Sequence, residues 1–233
     1  MTIEILQLLE GAQQATGLTV IIDVFRAFST ACYAVSRGAG PVFPVGTVEE
    51  AFALKKIFPD ALLMGERNEQ KPEGFDFGNS PTHILKADIA GRKMIHTTSS
   101  GTRGIVNAKN AGQIITGSFV NAGAIVRYIR LINPENVSLV CMGYACEYPT
   151  DEDTLCAVYI RDELTGAPGN FQAMKSQIRN GTGARFYEKE SQAWAPVTDF
   201  DLCLDLNKFD FVLKVERENK WAYLKKIDIS DKM

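Results

Sequence analysis

The stretch Thr19-Val20-Ile21-Ile22-Asp23-Val24-Phe25-Arg26-Ala27 decides the fold. Four apolar or β-branched residues read as a buried strand, and a short polar loop follows. A helix is then predicted from Ala27 to Arg37, stopped by Gly38 and Gly40, and Val42-Phe43-Pro44-Val45 is a second strand. Thr47, with Glu50 three residues on, has the spacing of a capping box, so another helix starts there. Further strands are predicted at Ala61-Leu62-Leu63-Met64, Lys93-Met94-Ile95-His96, Gln113-Ile114-Ile115-Thr116 and Val137-Ser138-Leu139-Val140-Cys141. Strands alternating with helices argue for a layered α/β fold with largely parallel or mixed sheets. Ile22 to Val42 spans 20 residues and Ile95 to Ile114 spans 19, so strand, helix and strand recur at nearly one spacing. An internal duplication would produce this rhythm, and so would an ordinary run of α/β units.

The last third differs. Pro168, Gly169, Gly181, Gly183 and Pro196 surround a short predicted helix near Phe171–Arg179. Phe209–Val215 and Trp221–Ile227, rich in aromatic and β-branched residues, read as a closing β-hairpin that either pairs between chains or completes a sheet edge.

Composition bounds the function. The chain has 233 residues, 45% hydrophobic and 23% charged, with a net charge of −3. That is a globular mix large enough for one large domain or two small ones. A slightly acidic chain lacks the basic footprint of a nucleic-acid binder. No apolar run reaches the roughly 18 residues that would span a membrane. Met1-Thr2-Ile3-Glu4 carries an early acid and no basic segment, which argues against a signal peptide, and five irregularly spaced cysteines fit reduced thiols, so a cytoplasmic location is expected.

Ligands of parallel α/β sheets bind beyond the carboxyl ends of the strands. Four loops there are polar: Asp23–Arg26, Gly65-Glu66-Arg67, Thr97–Arg103 and Gly143–Asp153. In Thr97–Arg103, small hydroxylic residues and Gly101 let backbone amides approach an anion, and Arg103 adds a guanidinium; the same residues also read as a helix-capping cluster. Asp23 suits an Mg²⁺ ligand with Arg26 as phosphoryl partner, or the two form a local ion pair. Gly74-Phe75-Asp76-Phe77-Gly78-Asn79-Ser80-Pro81 is dense in turn formers, yet its two aromatics need something to pack on. Asp151-Glu152-Asp153 stands at a predicted helix start, where acids also complement the helix dipole. Phosphate-binding and dinucleotide-binding glycine motifs, a nucleophile elbow and zinc spacing are absent, and His83 and His96 are the only histidines. His96 ends an apolar strand and also reads as an ordinary core residue. Oxygen-ligated metal with arginines and backbone amides suits phosphoryl chemistry.

Ile22-Asp23-Val24-Phe25-Arg26-Ala27, Gly65-Glu66-Arg67, Gly74–Pro81, Gly101-Thr102-Arg103 and Glu152-Asp153, in that order, resemble the 2-phosphosulfolactate phosphatase family over about residues 18–165, with a fainter echo at Asp201-Leu202-Cys203. The resemblance implies an Mg²⁺-dependent hydrolysis of 2-phosphosulfolactate to sulfolactate and phosphate, on the route to coenzyme M. It also implies two α/β parts sharing a site, taken as residues 1–88 and 89–233. Carried onto this chain, it makes Asp23, Glu66 and Asp153 catalytic candidates. Arg26, Arg67, Asn79, Ser100, Gly101, Thr102 and Arg103 become substrate-binding candidates, and Asp23, Glu66, Asp76, Glu152 and Asp153 metal candidates. The expected partner is a small anion, with a homo-oligomer left open. Ser100 stands where the family's usual pattern has Asn, and Tyr144–Thr150 is atypical, so the substrate is less fixed than the family. Another 2-phospho acid, or non-catalytic binding of an anionic metabolite, are the alternative readings, and the attacking group is either water or a carboxylate such as Asp23.

Overall fold

The computed structural model describes residues 1–167 and 169–229; Pro168 and residues 230–233 lie outside the described residues. Nine strands form one mixed sheet: β1 (Thr2–Gln7), β2 (Gly17–Ile22), β3 (Val42–Pro44), β4 (Leu62–Gly65), β5 (Met94–Thr97), β6 (Ala111–Gly117), β7 (Asn136–Cys141), β8 (Phe211–Glu218) and β9 (Trp221–Asp228). Their order is β1-β7-β2-β6-β8-β9-β3-β5-β4. At one end β1, β7, β2 and β6 are mutually parallel; at the other, β3, β5 and β4 are. The hairpin β8–β9 is antiparallel within itself and to both neighbours.

The hairpin therefore does not close an edge of the sheet. It lies inside the sheet, holding β6 through Ile115↔Lys214 and Thr116↔Leu213 and holding β3 through Val42↔Leu224. The units β2-α2-β3-α3-β4 and β5-α5-β6-α6-β7 occupy equivalent places when the strand order is reversed, with the hairpin at the centre. Here α2 is Ala27–Ser36, α3 Val48–Ile57, α5 Gly101–Asn107 and α6 Ala122–Ile132. The equivalence reaches single turns. Thr47 and Glu50 form the predicted capping box ahead of α3, and Ser118 with Asn121 forms one at the matching place ahead of α6.

Residues before and after position 88 alternate within each end of the sheet: β2 is hydrogen-bonded to β6 and β7, and β5 to β3 and β4. Alternation of side chains sorts the apolar residues onto two faces. Val20, Ile22, Ile115, Leu139 and Cys141 face a core built with α6 and α7 (Asp151–Thr165). Ile21 and Val140 face a second core that continues through Leu213 and Leu224 to Met64 and Met94. Phe43, Leu63 and Ile95 pack with α3 in a third. Helices α1 (Leu8–Gln14), α4 (Pro81–Ile84), α8 (Phe171–Asn180) and α9 (Val197–Cys203) complete the layers. All five cysteines are free thiols. No helix among the described residues is long and apolar enough to cross a membrane.

Candidate active site

The loops after β2, β4, β5 and β7 meet where the two ends of the sheet converge. Asp23, directly after β2, takes one amide from each of two helices: Oδ1 accepts from Ala27 N at 3.0 Å and Oδ2 from Gly101 N at 2.8 Å. Gly101 permits this approach, because a Cβ there would lie 2.8 Å from Asp23 Oδ2 and 2.9 Å from Ala27 Cβ. Asp153, in the first turn of α7, binds the loops after β2 and β7, with Oδ1 accepting from Val24 N at 2.8 Å and Oδ2 from Gly143 N at 2.9 Å. Glu66, after β4, accepts from Ser99 N at 2.6 Å, from Ser99 Oγ at 3.1 Å and from Glu69 N at 2.9 Å. Glu152 accepts from Thr182 Oγ1 and lies 3.7 Å from the Arg185 guanidinium.

All four of these carboxylates, at Asp23, Glu66, Glu152 and Asp153, are buried. Burial raises the Asp23 carboxyl to about 7, with the charges of Glu66 and Glu152 adding to the effect and amides of Ala27 and Gly101 opposing it. Burial and the charge of Asp23 likewise push Asp153 well above the usual carboxylate range. A carboxyl raised on folding binds protons more tightly folded than unfolded, so its contribution to stability is present below the unfolded value and lost as pH rises through the folded one. His96 is held down to about 3, so its opposite contribution is mostly gained by its ordinary 6.5, where the unfolded ring is half protonated, and nearly complete by pH 8, offsetting part of the carboxyl loss. Metal-free protein should therefore lose stability, on the order of 1 kcal/mol, between pH 6.5 and 8. Urea midpoints at the two pH values check this, and an unchanged or rising midpoint contradicts it.

Asp23, Arg26, Glu66, Glu69, Asn79, Ser99, Ser100 and Tyr144 line a cleft of about 400 Å³, its open mouth included. A wider cleft of about 1020 Å³ adjoins it, shares Asn68, Ser99 and Ala145, and is lined by Arg67, Arg103 and the residues that start α3. Arg67 donates to Glu66 O, Gly46 O and Thr97 Oγ1, and Arg103 to Ser99 O and Ala145 O; neither meets a carboxylate among the described residues. Partial burial lowers the Arg67 pKa; the charges of Glu66 and Glu49 oppose the shift, and the like charge of Arg103 adds to it. Asn68, Glu69, Ala145 and Cys146, around these clefts, all have positive φ between 50° and 65°. Strained non-glycine backbone of this kind gathers where a site over-determines its loops.

Other candidates have defined tasks. Arg26 reaches the cleft wall but commits its guanidinium to Asp199 at 3.0 Å, to Trp194 O and to Glu69 O. Ser100 Oγ donates to Gly143 O at 2.8 Å and accepts from Cys146 N, tying down the atypical loop. Thr102 Oγ1 accepts from Thr98 N, which shapes the turn into α5. Asp76 stands apart from the cleft, accepting from Leu63 N at 2.7 Å.

The sequence reading passed over Glu69, Arg185 and Asp199. Arg185 pairs with Glu69 at 2.9 Å and lies over the rings of Phe25 and Tyr144. Asp199 accepts from Arg26, Ser80 Oγ and Thr82 N. Nothing in the sequence of that helix separates Asp199, which is buried, from Asp201, which is exposed.

The 2-phosphosulpholactate phosphatase family matches residues 4–218. A "Probable 2-phosphosulfolactate phosphatase" of Thermotoga petrophila is 41% identical over 142 residues, 61% of this chain and 60% of that protein. The matched part of the chain thus spans less than two thirds of that relative. Proteins of the same name from Caldanaerobacter subterraneus and Bacillus subtilis are 33% and 28% identical over 84% and 91% of this chain and 87% and 92% of their own lengths.

Proposed function

The chain belongs to the 2-phosphosulfolactate phosphatase family, and from that premise we propose that it hydrolyses 2-phosphosulfolactate to sulfolactate and phosphate with Mg²⁺, as a step toward coenzyme M. One observation carries the reading: buried carboxylates that repel one another line a cleft beside two arginines, Arg67 and Arg103, that make no salt bridge among the described residues. Such a cluster gains from a cation, and such arginines gain from an anion.

The donor set suits Mg²⁺. Asp23 and Glu66 line the cleft and would hold the ion. Among the described residues no three His, Cys, Asp or Glu side chains stand together as a metal cage. Mg²⁺ needs none, since it is commonly bound by one or two carboxylates with water and phosphate oxygens. When bound, it neutralises charge on the phosphoryl oxygens. The chain's own groups do the rest. Arg67 and Arg103 bind the sulfonate and carboxylate of a substrate with three acidic groups, and Asn79 offers an amide to the phosphoryl end. Asp153 holds the loops after β2 and β7 in place around Asp23. The amides of Ala27 and Gly101 fix the Asp23 carboxylate and leave each oxygen a second lone pair, for the ion or for attack on phosphorus.

Phosphate release from 2-phosphosulfolactate, measured with Mg²⁺ and with EDTA, tests the proposal. Mg²⁺-dependent release is expected, with slower turnover of 2-phospholactate, which lacks the sulfonate. No release from either ester rejects the enzyme reading and leaves a binding protein. Borohydride added during turnover separates the routes: it traps an acyl phosphate at Asp23 if a carboxylate attacks phosphorus, and leaves Asp23 unmodified if water does.

A further inference from the structure

His96 on β5 lies beneath the cleft without lining it, fully buried between Pro44 of β3 and Met64 of β4 in register. Its Nε2 stands 3.3 Å from Asn79 Oδ1, and its Nδ1 has no partner. That contact fixes both groups. With Oδ1 turned to the ring, Nε2 carries the proton and the unpartnered Nδ1 is a bare acceptor. In the flipped arrangement the amide would donate to Nε2, the proton would sit on Nδ1, and a buried N–H would have no acceptor. Buried orphan donors are rarer than under-satisfied acceptors, so the first arrangement is favoured. Burial, with the nearby Arg67 charge, keeps the ring neutral. The amide is planar, so with Oδ1 held by the ring its Nδ2 lies on the other prong. Nδ2 has no protein partner among the described residues, and Asn79 lines the cleft.

We propose that His96 is a positioning residue: its Nε2–H holds Asn79 Oδ1 and so presents Asn79 Nδ2 to the cleft as a donor for an anionic oxygen of the phosphorylated substrate. The proposal rests on the phosphatase reading for the identity of that anion. Without His96 the amide is free to turn its carbonyl toward the cleft, where an acceptor repels the ligand. A hydrogen bond to a charged group is worth about tenfold in affinity or more.

The test titrates inorganic phosphate into the Mg²⁺-loaded protein by calorimetry and measures KM and kcat for 2-phosphosulfolactate in parallel. His96→Leu should weaken phosphate binding and raise KM about tenfold, with a smaller change in kcat and no loss of melting temperature. His96→Gln, which restores an N–H donor, should recover most of the loss. In an Asn79→Ser background, His96→Leu should have no further effect. Equal losses in both backgrounds, a folded His96→Gln that behaves like His96→Leu, unaltered binding in His96→Leu, or a wild-type protein that binds no phosphate would each overturn the proposal. Phosphate binding that follows the expected pattern in a protein without turnover would reject the phosphatase reading alone.

Discussion

Asp23→Asn should lower kcat/KM for 2-phosphosulfolactate by a thousandfold or more, equivalent to about 4 kcal/mol of transition-state stabilisation. The side chain is where the two ends of the sheet meet: one oxygen is held by the first turn of α2 and the other by the first turn of α5. It also lines the cleft, beside Glu66, while neighbouring acids repel it. Asparagine keeps the shape and removes the charge, so it cannot hold a cation in the same way or attack phosphorus. The fold should survive. Asparagine loses one of the two amide contacts, because its Nδ2 would face a backbone N–H, but it also removes a buried charge that is costly at pH 8. These effects oppose each other, and the melting temperature should move little compared with activity. Steady-state kinetics with a thermal melt of the same sample separates the two. A variant within tenfold of wild type would remove Asp23 from the reacting groups.

Much of the architecture was legible because it is local. Thr19–Ile22 and Val137–Cys141 are short apolar runs ending in polar loops, and both are central strands buried on two faces. The capping box at Thr47 needed only a three-residue spacing. The hairpin was legible as a hairpin but not in its place, since its insertion between β6 and β3 rests on a few backbone pairings far apart in sequence. Strand β1 was passed over, although its exposed and part-buried residues alternate at the start.

The site divides in the same way. Asp23, Glu66, Asn79 and Ser100 were nameable because each follows a strand end or a dense turn, and all four meet at one cleft. That Arg67 and Arg103 line a different cleft from Asp23 depends on how the loops after β4, β5 and β7 fold against one another. Arg185 and Asp199 come from the C-terminal third, and no periodicity announces a partner more than 100 residues away. The mirrored strand order explains why Asp23 and Gly101 meet at all. Asp23 opens the loop after β2 and Gly101 begins the helix after β5, its counterpart strand, so the two helices start side by side.

Asp199→Ala should cost about 3–5 kcal/mol, a large share of the roughly 5–15 kcal/mol that holds a typical domain folded. The Asp199 side chain is 0% exposed and that of Arg26 3%, at 3.0 Å, so the pair is shielded from solvent and salt. Removing the carboxylate leaves a buried guanidinium with only the carbonyls of Trp194 and Glu69. It also strips Ser80 Oγ and Thr82 N of their acceptor, so among the described residues the Thr82–Thr198 hydroxyl contact alone remains of the hydrogen bonds from α9 to the segment after Asn79. Activity should fall with stability, because Arg26 also fixes Glu69 over the cleft. The cause can be isolated by urea denaturation of Arg26→Met, Asp199→Leu and the double variant. An uncompensated buried charge costs more than an apolar pair of similar volume, so the double variant should be more stable than either single one. Additive losses would mean that packing around each residue, and not the ion pair between them, carries the effect.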